Sequence, residues 1–253
     1  MTVRELYDRF EAVIPLALRE SWDNDGLMVC PDAENEVRKA IVTLDVTEEC
    51  VDYAIENQFD LIVSHHPLVF RPMNAMTEDD HVQRKVIKLV QNGVSVFSFH
   101  TRADKVGGGV NDCLAEALGL EDARPFGEGD LGRIGTLPEE MTLEDFAFRL
   151  KELLGSDWVL ASDAYNDVRT VALVGGDGKG YIRDALEEGA DTFLSGRIGY
   201  NMMEDASGLG INLIEAGHYF TEVPVLRFFA KILSSSDPYL QIERYDSNQI
   251  RTF

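Results

Sequence analysis

The chain contains five histidines, and four of them (His65, His66, His100 and His218) stand at or just beyond the end of a segment that reads as a β-strand. "LIVSHHPLVF" places an adjacent pair after a run of apolar β-formers. "SFHTRAD" sets His100 just ahead of Asp104, and "EAGHYFTE" sets His218 just ahead of Glu222. Imidazole and carboxylate together favour Zn, Fe, Co, Ni or Mn over Ca or Mg, and no thiolate motif accompanies them. Three or four imidazoles and two carboxylates exceed the needs of one tetrahedral ion. They suit two neighbouring metals that share a carboxylate or a hydroxide. Singly, each residue has a plainer reading: a histidine before proline is a loop residue on a backbone hydrogen bond, and Asp104 and Glu222 are solvated carboxylates. Joint placement favours the metal. His81 has no companion carboxylate motif and reads as surface.

The elements that must position these groups follow from periodicity. "AIVTLDV" (40–46) reads as a strand, "TEECVDYAIENQ" as a helix capped by Thr47, and "FDLIVSHH" as a second strand. A helix around "HVQRKVIKLVQNG", stopped by Gly93, leads to a third strand, "VSVFSFH". Strand and helix in alternation predict a parallel sheet with right-handed crossovers, whose ligands gather beyond the carboxyl ends of the strands. The pattern returns: residues 171–197 lie over residues 40–66 without a gap, and "GINLIEAGH" resembles "GVSVFSFHT". A duplicated α/β fold is expected, with two pseudo-repeated, interlaced lobes and mostly parallel sheets. The expected partition is 1–124 with 206–253 as a first lobe carrying the metal motifs, and 125–205 as a second lobe with an inserted segment. "TLEDFAFRLKELLG" reads as a helix with Thr142 as N-cap.

Bulk composition narrows the function classes. The net charge is -22, with 45 acidic against 23 basic residues spread along all 253 positions. Such a chain repels phosphate backbones, so nucleic acid is not an expected partner. A salt-rich cytoplasm is one setting in which a dense carboxylate surface stays hydrated while its self-repulsion is screened. The N-terminal stretch reads as an amphipathic helix, not a signal peptide, and no run reaches the roughly 20 apolar residues of a membrane span. A cytoplasmic protein is expected. Cys30, Cys50 and Cys113 read as small buried hydrophobes. "GGGVNDCLAEALGL" turns into a helix near Val110, whose amides suit an anion, although a cap from Asn111 or Asp112 is as good a reading. "VGGDGKG" is neither a P-loop nor a dinucleotide fingerprint. Trp22 in "SWDNDGLMV" reads as core in preference to a stacking surface for a base.

"WDNDGL", "SHHPLVF", "HTRADKVGGGVNDCLAEALGL", "VGGDG" and "EAGHYFTE" together resemble, in order, the signature stretches of the Nif-three-like dinuclear metal-centre family. Many of its members carry the name GTP cyclohydrolase 1 type 2. The resemblance runs from about residue 20 to residue 225. It implies a toroidal homohexamer, two divalent transition-metal ions per subunit, and His65, His66, Asp104, His218 and Glu222 as their ligands. By the same resemblance His100 lies beside the metals without being a usual ligand. Two departures stand out. Arg102 and Ala103 occupy positions where the family usually has Asn and Leu, which alters the rim of the site. Arg197, in "SGRIGYN", replaces an acid. An arginine beside two cations suits a phosphate or forms a salt bridge.

Two functions fit. One is a metal-dependent hydrolase acting on a nucleotide or other phosphorylated small molecule, with His100 as proton shuttle and Arg102 or Arg197 on phosphate. The other is a non-catalytic metal carrier, insertase or ring scaffold using the same five ligands.

Overall fold

The computed structural model describes residues 1–252. Among them, eleven strands occur: β1 (Gly26–Val29), β2 (Lys39–Thr43), β3 (Leu61–Ser64), β4 (Ser95–Ser98), β5 (Glu121–Phe126), β6 (Gly132–Met141), β7 (Leu160–Ser162), β8 (Val168–Asp177), β9 (Thr192–Arg197), β10 (Asn212–Glu215) and β11 (Gln241–Arg244). They form two sheets, one in each of two compact units. Unit 1 comprises Met1–Val106 with Leu226–Gln249, and unit 2 comprises Gly107–Val225 with Ile250–Phe253.

In unit 1 the strand order is β1-β4-β3-β2-β11, with β1 antiparallel to β4 and the other neighbours parallel. β3 and β4 are buried at every residue, as a strand covered on both faces requires. The helix Glu48–Glu56 starts where expected: the Thr47 hydroxyl accepts from Cys50 N, and Glu48 and Glu49 meet the positive end of the helix dipole. It buries Cys50, Val51 and Ala54 against Ile41, Ile62 and Leu89. The N-terminal helix Val3–Val13 carries a capping box between Thr2 and Glu5 and buries Val3, Leu6 and Phe10. A cap contributes about 1 kcal/mol and each fully buried apolar side chain about 1.5–3 kcal/mol, so docking dominates its stability. Phe10 lies stacked on Phe99, ring centroids 4.9 Å apart. This places the helix under the end of β4, where His100 follows.

In unit 2 the order is β5-β6-β8-β9-β10-β7, with β8, β9 and β10 parallel and the flanking strands antiparallel. The helix Leu143–Leu154 opens on Thr142, whose hydroxyl accepts from Asp145 N. The internal repeat extends to hydrogen-bond register. Ala40 pairs with Leu61 and Thr43 with Ser64 in unit 1; Val171 pairs with Thr192 and Val174 with Ser195 at the equivalent positions of unit 2. The Asp60 carboxylate accepts from Arg38 N and Lys39 N, and its counterpart Asp191 accepts from Arg169 N and Thr170 N. Each aspartate thus closes the same strand-start turn.

The two units divide the chain differently from the expected partition at residues 107–124, at residues 206–225 and from residue 250 onward. Residues 107–124 belong to unit 2 because Leu114, Ala115 and Leu118 pack with Phe146, Val171 and Leu173. Residues 206–225 belong there because β10 completes that sheet beside β9. The strand's need for a partner decides its unit, whatever motif follows it. β11 pairs with β2, so residues 226–249 do lie with unit 1. Cys50 and Cys113 are buried and Cys30 half-buried, and burial pushes the Cys50 thiol up to about 12, which makes it inert at neutral pH. No helix among the described residues is long and apolar enough to cross a membrane.

Candidate metal centre

In unit 1, three histidines follow directly from strand ends. His65 and His66 succeed β3, and His100 lies just beyond β4. One ring nitrogen from each falls within 4.8 Å of the other two. The ring centroids are 4.9 Å apart for His65 and His66, 5.3 Å for His65 and His100, and 5.8 Å for His66 and His100. Each Nδ1 is engaged by an oxygen: His65 with the Phe99 carbonyl at 2.9 Å, His66 with Asp45 Oδ1 at 2.7 Å, and His100 with Asp23 Oδ1 at 2.9 Å. A carbonyl or carboxylate only accepts, so Nδ1 carries the proton and donates in all three. In the neutral ring, Nε2 then holds the lone pair. This is how metal-binding imidazoles are oriented, with a backbone carbonyl or carboxylate fixing tautomer and ring plane. Asp104 adds a carboxylate oxygen 3.6 Å from His65 Nε2. The donor set fits a divalent transition ion.

Asp23 and Asp25 shape this end of unit 1, and their side chains are fully buried. Asp23 also accepts from Thr101 N at 3.1 Å and Thr101 Oγ1 at 2.6 Å. Burial opposes ionisation of both Asp23 and His100, but their mutual hydrogen bond and charge outweigh it. Asp23 is held well below the usual carboxylate range, and His100 sits above the usual imidazole value. Asp25 accepts from His100 N at 3.1 Å and holds Arg102 Nε with both oxygens, at 3.0 and 3.1 Å.

Arg102 therefore does not line a rim. Its side chain is fully buried, with Nη1 donating to Glu11 at 2.8 Å and to the Ile14 carbonyl at 3.1 Å. The guanidinium lies over the Phe99 ring, 4.9 Å from its centroid. It is unavailable to a phosphate because every direction of its fork meets protein. Arg197, at the end of β9, is exposed. Trp22 is also corrected: it is 62 % exposed instead of core. Its neighbour Asp23 turns inward to His100, and the chain direction then leaves the indole outside.

In unit 2, His218 and Glu222 occupy successive turns of the short helix His218–Glu222, with Nε2 and Oε2 3.0 Å apart. Glu222 is buried and the His218 side chain is 46 % exposed. Glycines make room for this helix. At Gly176 (φ +66°) an added Cβ would stand 2.2 Å from Glu222 Oε1, and at Gly196 one would stand 2.8 Å from His218 Cα. Thr221 Oγ1 accepts from Gly176 N at 3.1 Å. Gly176 of "VGGDG" thus serves close backbone approach to a carboxylate. At the start of the helix Val110–Leu118, the Asp112 carboxylate takes the Gly108 N–H at 2.6 Å and pairs with buried Arg133, Asn111 bonds Leu131 O and Gly175 N, and neither side chain caps the helix.

Every expected donor lies beside another: His65, His66 and Asp104 with His100 in unit 1, and His218 with Glu222 in unit 2. Sequence reasoning missed Asp23, Asp25 and Asp45. Asp45 had a legible signal, since it follows the end of β2 as the histidines follow β3. Replacing it with alanine removes the acceptor that orients His66. Competition against a chelator should then show metal affinity reduced about 10- to 100-fold. Equal affinity in Asp45→Ala would mean that His66 needs no such support.

An α/β protein with a partly buried, tethered imidazole cluster at its strand ends defines a candidate transition-metal protein. A family model described as Duf34/NIF3 (NGG1p interacting factor 3) matches residues 1–251, and the chain belongs to that family. A protein of Clostridium perfringens named GTP cyclohydrolase 1 type 2 homolog is 36 % identical over 233 residues, covering 89 % of this chain and 88 % of its own. The NIF3 homolog of Schizosaccharomyces pombe is 30 % identical over 84 % of this chain and 81 % of its own. Among solved structures, reduced HcgD from Methanocaldococcus jannaschii superposes with a TM-score of 0.83 at 28 % identity, covering 96 % of this chain and 97 % of that one. A hypothetical protein of Staphylococcus aureus gives 0.89 at 25 % identity, over 100 % and 99 %.

Proposed function

We propose that this protein is a metal-dependent hydrolase acting on a nucleotide or other phosphorylated small molecule, with His65, His66, Asp104, His218 and Glu222 as donors to two divalent transition-metal ions. The observation that carries this reading is the trio of imidazoles tethered through Nδ1, an arrangement whose purpose in a protein interior is to present Nε2 lone pairs. The names of the curated relatives point to a nucleotide substrate. Bound divalent ions supply Lewis acidity and lower the pKa of water toward neutrality. His100 carries the proton chemistry: Asp23 fixes its Nδ1–H, so Nε2 is the atom that accepts and returns a proton. Arg197, exposed at the end of β9, is the cation offered to a phosphate. The burial of Arg102 favours a second reading, metal carriage, because it removes one of the two alternative arginines that the hydrolase reading offered to a phosphate.

A panel of nucleotides and phosphoesters, assayed with added Mn, Fe or Zn, separates the two. Turnover that disappears both on chelation and in Glu222→Ala, with a loss of at least about 100-fold, is the hydrolase result. Silence across the panel from fully metal-loaded protein leaves carriage.

A further inference from the structure

Trp22 and Phe70 are large apolar side chains left in solvent, 62 % and 44 % exposed. Isolated exposed hydrophobes are ordinary on a protein surface. These two are not isolated. Their centroids lie 6.4 Å apart at an interplanar angle of 65°, making a corner, and they stand 6.2 and 6.3 Å from the same imidazole, His100. His100 in turn is 5.3 and 5.8 Å from His65 and His66. Both rings therefore border the tethered imidazole cluster within one unit.

Their positions are held by the backbone around them. Residue 22 precedes the buried carboxylate of Asp23, anchored on His100 and Thr101, and Asp25 two positions further is anchored on Arg102. Between them, Asn24 Nδ2 donates to the Val69 carbonyl at 2.5 Å, tying the segment that carries Trp22 to the residue before Phe70. Two buried acids and a cross-link fix an indole whose own face is left to water. Exposed aromatic faces held in place are stacking platforms, since any planar ring offers a π-face to them.

We propose that Trp22 and Phe70 form the wall on which a planar heteroaromatic ring stacks, the ring belonging to a ligand whose other end reaches the His65/His66/His100 cluster. The proposal rests on the reading of that cluster as a metal site and deepens it: the substrate class becomes one with a flat nitrogen heterocycle, such as a purine nucleotide, and not an aliphatic phosphoester. A stacked ring needs no charge, whereas a quaternary ammonium group would use the same aromatics by cation–π attraction. The two are separable by experiment.

Trp22 is one of only two tryptophans, so Trp158→Phe leaves it as the sole indole reporter. Zinc-loaded Trp158→Phe protein is titrated with GMP, ribose 5-phosphate and tetramethylammonium, and zinc is measured by elemental analysis throughout. Saturable quenching by GMP alone is expected. Trp22→Ala and Phe70→Ala should each weaken GMP binding, measured by calorimetry, by roughly 5- to 100-fold. Trp22→Phe should retain most of it, and zinc content should not change in any of the three. Equal quenching by tetramethylammonium, GMP affinity indifferent to both alanine variants, or a change of oligomeric state in Trp22→Ala without loss of GMP affinity would each overturn the proposal. Zinc uptake with no response to GMP sinks the platform alone. Trp22-dependent GMP binding in protein that takes up no zinc upholds the platform and sinks the metal reading.

Discussion

Arg102→Leu is expected to lower the stability of the metal-free protein by about 3–5 kcal/mol at pH 7, the usual cost of removing one partner from a buried ion pair. The guanidinium is fully buried and is shared between Asp25, Glu11 and the Ile14 carbonyl. Without it, the fully buried Asp25 carboxylate keeps only the His100 N–H. A leucine fills most of the volume, so the loss is electrostatic and not a cavity. Urea denaturation at several pH values tests the cause. Burial already holds the Asp25 carboxyl above its ordinary value even with Arg102 beside it. A carboxyl whose folded pKa is raised destabilises the fold above that pKa and is relieved as pH falls through it. Removing the arginine enlarges that shift, so the deficit of Arg102→Leu relative to the parent should shrink on acidification. The comparison must be with the parent at each pH, because Asp23 works in the opposite sense. Its depressed pKa contributes stability above the normal carboxylate range, which is lost as pH falls through the folded value, equally in both proteins. A deficit below about 1 kcal/mol, or one independent of pH, would falsify the buried-pair account.

The second large effect is on metal content. Protein purified without chelator should contain about two transition-metal ions per subunit, and His65→Ala/His66→Ala should lose most of them. His65 is fully buried, so its truncation also leaves a void and deprives the Phe99 carbonyl of its donor. His66→Ala alone guards against misreading a folding defect as a metal defect. Its side chain is 25 % exposed, and its loss removes one donor with little packing. A folded His66→Ala protein with normal far-ultraviolet circular dichroism and depleted metal is the expected result. A parent devoid of transition metal even after reconstitution would leave the tethered imidazoles with another task.

Much of the framework was written in short-range signals. Thr47 and Thr142 cap the helices they were expected to cap, because a hydroxyl reaching an amide three residues on is a local event. The strand ends that carry His65, His66, His100 and His218 were legible from runs of apolar β-formers. The repeat of 40–66 in 171–197 was visible in the gapless match and the order of elements, and it returns in the pairing register and in the matching roles of Asp60 and Asp191. What the sequence could not show was which groups would meet over long separations. Asp23 and Asp25 lie far along the chain from His100 and Arg102, and nothing local to "WDND" marks them as buried anchors. The same blindness put Trp22 in the core and Arg102 at the rim. Hydrophobicity favoured one and the family resemblance the other, yet an inward-turning Asp23 expels the indole, and two carboxylates make burial of the guanidinium tolerable. Unit membership of 107–124 and 206–225 was likewise settled by which strand found which partner. Local periodicity, capping and turn chemistry depend on neighbours in the chain, so a single sequence determines them. Burial of a charge or exposure of a ring depends on partners brought together only by folding, and the tertiary structure alone decides it.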